Sequence, residues 1–316
     1  PPAEHMIRTN VPSVIDEVTG CYPPLGLLYV AAAIEREGRH EVSVIDCVAE
    51  GLNAEHLRER LSREPADVVG IQAITFSAVD AFEAARAAKA ANADSFVLMG
   101  GPHANLYPAE TVLRPEVDAV LLGEAESNIN PFLKALENGL DLGSVPGAAV
   151  SSPDGLTLYG PPNPLIEDLD ALPMPARHLV DNRRYTSVLG RGRYLTTIMS
   201  SRGCPARCIF CDRPHLGKRF RSRSAANVVD EMQHCADAFG IEEFFFYDDT
   251  FTIDKARVLD ICRAIEERGL KTYWDIRARV STMDREMVRA LRNAGCCRIH
   301  LGIESGNAQV LKTMRK

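Results

Sequence analysis

Three of the nine cysteines in this 316-residue chain crowd into one stretch, Cys204-Pro-Ala-Arg-Cys208-Ile-Phe-Cys211, with the spacing C-x3-C-x2-C. Gly203 and Pro205 keep the stretch a loop. A loop that wraps three thiolates around one centre can hold three corners of a cubane iron-sulfur cluster and leave the fourth iron open to an outside ligand. The competing chemistry is a closed tetrahedral zinc site with His215, four residues past Cys211, as its last ligand. Spacing alone admits both.

Charged residues with strand periodicity point to a polar site nearby. In Trp274 to Val280 the apolar residues Trp274, Ile276, Ala278 and Val280 alternate with Asp275, Arg277 and Arg279. In Arg298 to Glu304, Ile299, Leu301 and Ile303 share one side, and Arg298, His300, Gly302 and Glu304 the other. If helices cover the apolar sides, the charged sides face inward, where a packed barrel would carry branched apolar residues. Asp248 and Asp249 follow another strand at its carboxyl end, as the cysteine loop follows the strand before it, so thiolates and carboxylates are expected to converge.

The elements that position these groups are short strands alternating with helices. Strands are expected at Leu195 to Met199, Glu243 to Tyr247, Thr272 to Arg279 and Arg298 to Ile303, with helices at Asn227 to Phe239, Lys255 to Arg268 and Arg285 to Ala294. That makes four strand-helix units of a β/α barrel whose closure needs further strands. Upstream, the pattern predicts a helix at Pro24 to Gly38, strands at Val42 to Cys47, Asp67 to Thr75, Phe96 to Met99 and Val117 to Leu122, and helices at Ser77 to Ala91 and Asn128 to Asn138. Such alternation builds a parallel sheet covered on both faces. The sheet is expected to lack a leading strand, or else to have four parallel strands. Gly147 to Gly160 reads as a hairpin turning at Pro153-Asp154-Gly155, followed by a proline-dense linker from Pro161 to Pro175.

Composition narrows the class. Apolar residues make up 46% and charged residues 25%, as in soluble globular proteins. The net charge of -7 argues against a nucleic-acid binder, which needs a basic surface. No apolar stretch reaches bilayer length. No secretory leader opens the sequence, so the reducing cytoplasm is the expected compartment. Arg213, His215, Lys218, Arg219, Arg221 and Arg223 form a basic run, to be read as a solvated surface or as a receiver for an anionic substrate carboxylate or phosphate.

The segments RGCPARCIFCDRPHLGKRF, FFFYDDTFT, WDIRARV and HLGIESG resemble the radical S-adenosylmethionine enzymes, and within them the cobalamin-binding branch that includes the anaerobic magnesium-protoporphyrin monomethyl ester cyclase. YPPLGLLYVAAAIEREG, VLMGGPHA and LLGEAE resemble the corrinoid domain of that branch, so the likeness spans nearly the whole chain. It implies an α/β chain with an N-terminal Rossmann-like (flavodoxin-like) parallel-sheet cobalamin-binding domain over 1–145, a hairpin and proline-rich linker over 146–190, and a partial (β/α) radical SAM barrel over 191–316, truncated at both ends. The implied cofactors are a [4Fe-4S] cluster on Cys204, Cys208 and Cys211, S-adenosylmethionine, and cobalamin. The open iron would bind the amino and carboxylate groups of S-adenosylmethionine, whose reductive cleavage yields a deoxyadenosyl radical. Phe210 matches the position near the adenine, Asp248 and Asp249 the amino-group site, Glu304 and Ser305 the ribose or methionine contact, and Arg277 and Arg279 the carboxylate, with internal ion pairing as the alternative. For cobalamin the matching positions are Thr75, Ser77, Gly100, Gly101, Gly123 and Glu124, with His103 touching the corrin or capping its turn. The D-x-H-x-x-G motif is absent, so no histidine of this chain is expected on the lower face of cobalt. The expected activity is C-methylation of an unreactive carbon, with oxidative ring formation as the alternative. Partners would be a small-molecule substrate and an external electron donor such as flavodoxin or ferredoxin. A zinc-stapled binding module and a corrinoid carrier are the readings without radical catalysis.

Overall fold

The computed structural model describes residues 1–5, 20–211 and 217–316. It divides into two compact units, one built mainly on Pro24–Ile166 with Pro173–Val180, the other on Asp181–Lys316 with Glu167–Leu172.

The first unit runs α1 (Leu25–Glu35), α2 (Cys47–Glu50), α3 (Ala54–Arg63), β1 (Val68–Gln72), α4 (Ala78–Ala91), β2 (Phe96–Gly100), α5 (Pro102–Leu106), α6 (Pro108–Val112), β3 (Ala119–Leu121), α7 (Ile129–Glu137), β4 (Ala148–Ser151) and β5 (Thr157–Tyr159). Its sheet has the order β1-β2-β3-β4-β5. The first three strands are parallel, and the hairpin β4-β5 continues the sheet antiparallel to β3. The sheet therefore has three parallel strands among the described residues, neither the four of one reading nor a sheet including Val42 to Cys47. Val42–Asp46 pairs with no described strand; Val42 and Val44 are half-buried beside Ala31, Ala32 and Ala176. Asp46 ends that stretch by capping α2, accepting from the backbone N–H groups of Val48 and Ala49.

The second unit runs β6 (Leu195–Ile198), β7 (Ser201–Arg202), β8 (Arg221–Ser222), α8 (Ala225–Phe239), β9 (Glu243–Phe246), α9 (Lys255–Glu267), β10 (Tyr273–Arg279), α10 (Arg285–Asn293), β11 (Cys296–Gly302) and α11 (Ala308–Met314). Four parallel strands form a sheet ordered β11-β10-β9-β6. Each crossover helix opens on a capping side chain: Ser224 for α8, Asp254 for α9 and Asp284 for α10 each accept from a backbone N–H three residues on. Gly240, at φ +66°, ends α8 in the left-handed conformation.

Register assigns the two faces of this sheet. Phe244, Trp274 and Ile276 lie on the helix side with Ile198 and Phe246, in a core completed by Val228, Met232, Val258, Ile261 and Leu291. Fully burying each aromatic contributes about 1.5–3 kcal/mol, and Trp274 also donates its indole N–H to the Ala294 carbonyl at 2.8 Å. The opposite face carries Glu243, Phe245, Asp275, Arg277, Arg279, Arg298 and His300. One expectation fails at the edge. Leu301 and Ile303 are 45% and 58% exposed, because β11 borders the sheet and no described helix covers its last residues.

Candidate functional site

The short antiparallel pair β7-β8 brackets the cysteine loop, a feature without hydrophobic periodicity to announce it. Gly203 begins the loop at φ +79°, a conformation costly to a side chain with a Cβ. Cys204 and Cys208 are buried, and Cys211 is exposed. All three border one cavity of about 330 Å³, together with Phe210, Asp249, Thr250, Arg277, Arg279, His300, Glu304 and Lys316. Five of the seven residues that the resemblance assigns to S-adenosylmethionine thus share this cavity with the cysteines; Asp248 and Ser305 do not. Among the described residues no three His, Cys, Asp or Glu side chains converge at the range needed to ligate one metal ion.

Asp248 has a different place from the one its neighbour predicts. It is fully buried and accepts from the Ser200 N–H at 2.7 Å and from the Ser200 and Ser201 hydroxyls, each at 2.6 Å. Arg257 completes this network, donating to the Ser200 carbonyl at 2.8 Å, to the Ser200 hydroxyl, and to the Arg223 carbonyl at 3.0 Å. Burial pulls the Arg257 guanidinium below the usual arginine range, and the nearby Asp248 charge opposes that shift. Asp248 therefore fixes the chain entering the cysteine loop. Ser305 also turns to local work, its hydroxyl accepting from the Asn307 N–H at 3.1 Å.

The other groups each carry a partner that sets their direction. Arg279 donates from Nη1 to the Cys208 sulfur at 3.1 Å. Arg277 stacks over Tyr247 at 4.5 Å, and burial raises the Tyr247 phenol to about 12. Glu304 holds a left-handed backbone at φ 60° and pairs with Lys316 at 3.0 Å. The Thr250 hydroxyl lies 3.7 Å from the Cys204 sulfur. His300 shares the buried Asp275 carboxylate with Arg298, at 3.0 and 3.1 Å. Thr250 and the partner role of Asp275 are absent from the sequence reading. Thr250 had a signal, its place just past the Asp248-Asp249 pair at a strand end.

The basic run divides. Arg223 is buried in an ion pair with Glu231 and bonds Asn227, and Arg221 is buried within β8, so neither belongs to a solvated surface. Burying a cation demands a matched partner, which Glu231 supplies. Arg219 is exposed and pairs with Glu167. Arg213 and His215 lie outside the described residues.

In the first unit the remaining candidates gather at the carboxyl ends of β1, β2 and β3. Thr75 is exposed between exposed Ile74 and Phe76, whereas Ser77 is buried. The glycines have an internal reason. A Cβ on Gly101, which sits at φ +96°, would stand 2.8 Å from the Ala73 carbonyl oxygen, while one on Gly100 would meet only the Leu121 carbonyl oxygen at 3.5 Å. Gly123, at φ +81°, donates its N–H to Asn105 at 2.7 Å, and Asn105 donates to the Gly101 carbonyl at 3.0 Å. Asn105, missed in the sequence, ties the loops after β2 and β3. Glu124 is buried and accepts from the Ile166 N–H at 2.6 Å. His103 is buried between Phe82 and Tyr107, and neither ring nitrogen is hydrogen-bonded among the described residues. Desolvation holds its imidazole below the ordinary histidine range.

The B12 binding domain family matches residues 12–130, and the radical SAM superfamily matches residues 198–316. The chain belongs to the cobalamin-binding radical S-adenosylmethionine family. An uncharacterized methyltransferase of Pyrococcus horikoshii is 35% identical over all of this chain and 66% of its own length. The cytidylyl-2-hydroxyethylphosphonate methyltransferase of Streptomyces wedmorensis is 30% identical, over 94% of this chain and 64% of its own. The anaerobic magnesium-protoporphyrin IX monomethyl ester cyclase of Rubrivivax gelatinosus is 28% identical, over 98% and 57%. This chain thus spans between about half and two thirds of these family members. The fold matches the cobalamin-dependent radical enzyme OxsB, solved with aqua-cobalamin and S-adenosylmethionine, with a TM-score of 0.81 at 22% identity, covering 95% of this chain and 44% of OxsB. It also matches the radical methyltransferase TsrM of Kitasatospora setae, with a TM-score of 0.74 at 22% identity, covering 92% and 58%. No described helix is long and apolar enough to cross a membrane.

Proposed function

We propose that this chain binds a [4Fe-4S] cluster, S-adenosylmethionine and cobalamin, and that it serves C-methylation of an unactivated carbon. The observation that carries this reading is the single cavity that Cys204, Cys208 and Cys211 border with the Asp249 and Glu304 carboxylates. The donor set fits a cubane cluster: three thiolates from one loop border the cavity, and a cubane takes each on a different iron and leaves a fourth iron open to an outside ligand.

When bound, the cluster supplies the electron that cleaves S-adenosylmethionine, and cobalamin carries the methyl group. Cys204, Cys208 and Cys211 would hold the cluster. Asp249 and Glu304 would receive the amino group and favour the sulfonium charge, Phe210 would flank the adenine, and Arg277 would meet the carboxylate. Asp248 would act by holding Ser200 and Ser201 at the loop entrance. In the first unit, Ile74, Thr75 and Phe76 offer an exposed apolar strip with a hydroxyl, beside His103, whose backbone N–H bonds the Ala73 carbonyl at 3.0 Å and whose imidazole has no hydrogen-bond partner among the described residues. That combination fits a broad apolar ring with a polar rim, while Gly100, Gly101, Gly123 and Glu124 would shape the loops that receive it. The proposed setting is cytoplasmic, with an external flavodoxin or ferredoxin as electron donor and a small-molecule substrate.

Cyclase-type ring formation is a second reading, favoured by the similarity to magnesium-protoporphyrin ester cyclases. The chain, reconstituted anaerobically with iron, sulfide and cobalamin and reduced, should release 5′-deoxyadenosine or S-adenosylhomocysteine from S-adenosylmethionine. Methyl-labelled S-adenosylmethionine should label the cobalamin if the methyl reading holds; cleavage without any labelling favours the cyclase reading, and no cleavage at all overturns both.

A further inference from the structure

We propose that Arg279 acts through Cys208 as a positioning residue that raises the reduction potential of the cluster, a role distinct from seating the carboxylate of S-adenosylmethionine. The inference rests on the reading that Cys208 ligates an iron-sulfur cluster. Arg279 ends β10 on the charged face of its sheet and borders the same cavity as the cysteines. Its guanidinium has no carboxylate partner among the described residues, and its one side-chain hydrogen bond there runs from Nη1 to the Cys208 sulfur at 3.1 Å. Arg277, two residues earlier on that face, stacks over the Tyr247 ring. Arg298, across the sheet, is paired with Asp275. Arg279 is thus the cavity arginine aimed at a sulfur.

A cation that donates N–H to a ligating sulfur favours whichever oxidation state puts more negative charge on that sulfur. The added electron of the reduced cluster does so, and hydrogen bonds to cluster sulfurs set potential in this way. Removing the guanidinium should therefore make the cluster harder to reduce.

The test uses the full chain, reconstituted anaerobically with iron and sulfide, with iron and sulfide counted and the midpoint potential titrated in the absence of S-adenosylmethionine. Arg279→Gln should lower the reduced-to-oxidised ratio at a fixed donor potential about tenfold, a shift of about 59 mV for a one-electron couple. Arg279→Lys, which keeps the charge, should shift less in the same direction. Lys255→Gln, on an exposed lysine outside the cavity, should leave the potential in place. A potential equal to wild type in a fully loaded Arg279→Gln protein overturns the proposal, all the more if its affinity for S-adenosylmethionine falls. If Arg279→Gln holds no cluster, Arg279→Lys decides by the same sign. A wild type that takes up zinc and no cluster overturns both this inference and the reading beneath it.

Discussion

Replacing Asp248 with Asn tests whether the cysteine loop is held from behind. The substitution keeps the shape of the side chain but removes its charge and turns one of its two acceptor oxygens into a donor. Both oxygens are in use in the folded chain, one by the Ser200 N–H and the other by the Ser200 and Ser201 hydroxyls, all within 2.7 Å. An NH₂ group there either faces the Ser200 N–H, an obligate donor, or obliges both hydroxyls to turn and accept. Hydrogen bonds to a charged acceptor contribute about 1.5–3 kcal/mol each, and removing one member of a buried ionic network costs about 3–5 kcal/mol. Arg257 keeps its carbonyl contacts with Ser200 and Arg223, which places the expected loss at the lower end, about 3 kcal/mol. At roughly 2–4 °C per kcal/mol this lowers the unfolding transition of the second unit by about 6–12 °C. Calorimetry of the apoprotein measures it. Iron uptake should fall as well, since Ser200 and Ser201 lead directly into Gly203 and Cys204. A transition within about 2 °C of wild type, with full iron loading, would refute the assignment of Asp248 as the anchor of the loop.

Two further expectations concern the first unit. Gly101→Ala forces a Cβ against the Ala73 carbonyl oxygen at a φ of +96°, and should cost about 1–3 kcal/mol in denaturant unfolding; an unchanged midpoint would contradict the close approach. His103 is held neutral by burial, so the unfolded chain takes up a proton first as pH drops below its ordinary value of 6.5. Its contribution is fully present above that pH and is lost as pH falls toward the depressed folded value. Urea unfolding at pH 7.5 and 5.5 should show wild type losing stability on acidification and His103→Phe losing less; equal losses would mean that His103 is not the group responsible.

What the sequence made legible follows the range of each signal. Cys204, Cys208 and Cys211 were readable as one group because they crowd into eight residues of a single loop, and all three border the same cavity. The helix-facing row Trp274, Ile276 and Ala278 was readable because strand periodicity encodes which face is buried. Val42 to Cys47 shows the limit: a β-branched run satisfies its apolar residues equally well on a helix, and only the partner decides between ladder and packing. Asp248 and Asp249 are chemically identical neighbours, yet one is buried under Ser200 and the other borders the cavity, a difference set by backbone direction at a strand end. Arg223 looked like part of a solvated run until Glu231, eight residues on, came round on α8 to meet it. Asn105 and Asn163 join loops distant in the sequence by side-chain hydrogen bonds, which no periodicity announces.

Spectroscopy of the metal centre tests the central claim most directly. Chain reconstituted anaerobically with iron and sulfide, then reduced, should show by Mössbauer and electron paramagnetic resonance a cubane cluster whose signal changes when S-adenosylmethionine is added, and Cys204→Ala, Cys208→Ala or Cys211→Ala should each abolish that change. A protein that instead holds one zinc ion in a complete shell of its own side chains, with no sulfide and no response to S-adenosylmethionine, would contradict the account.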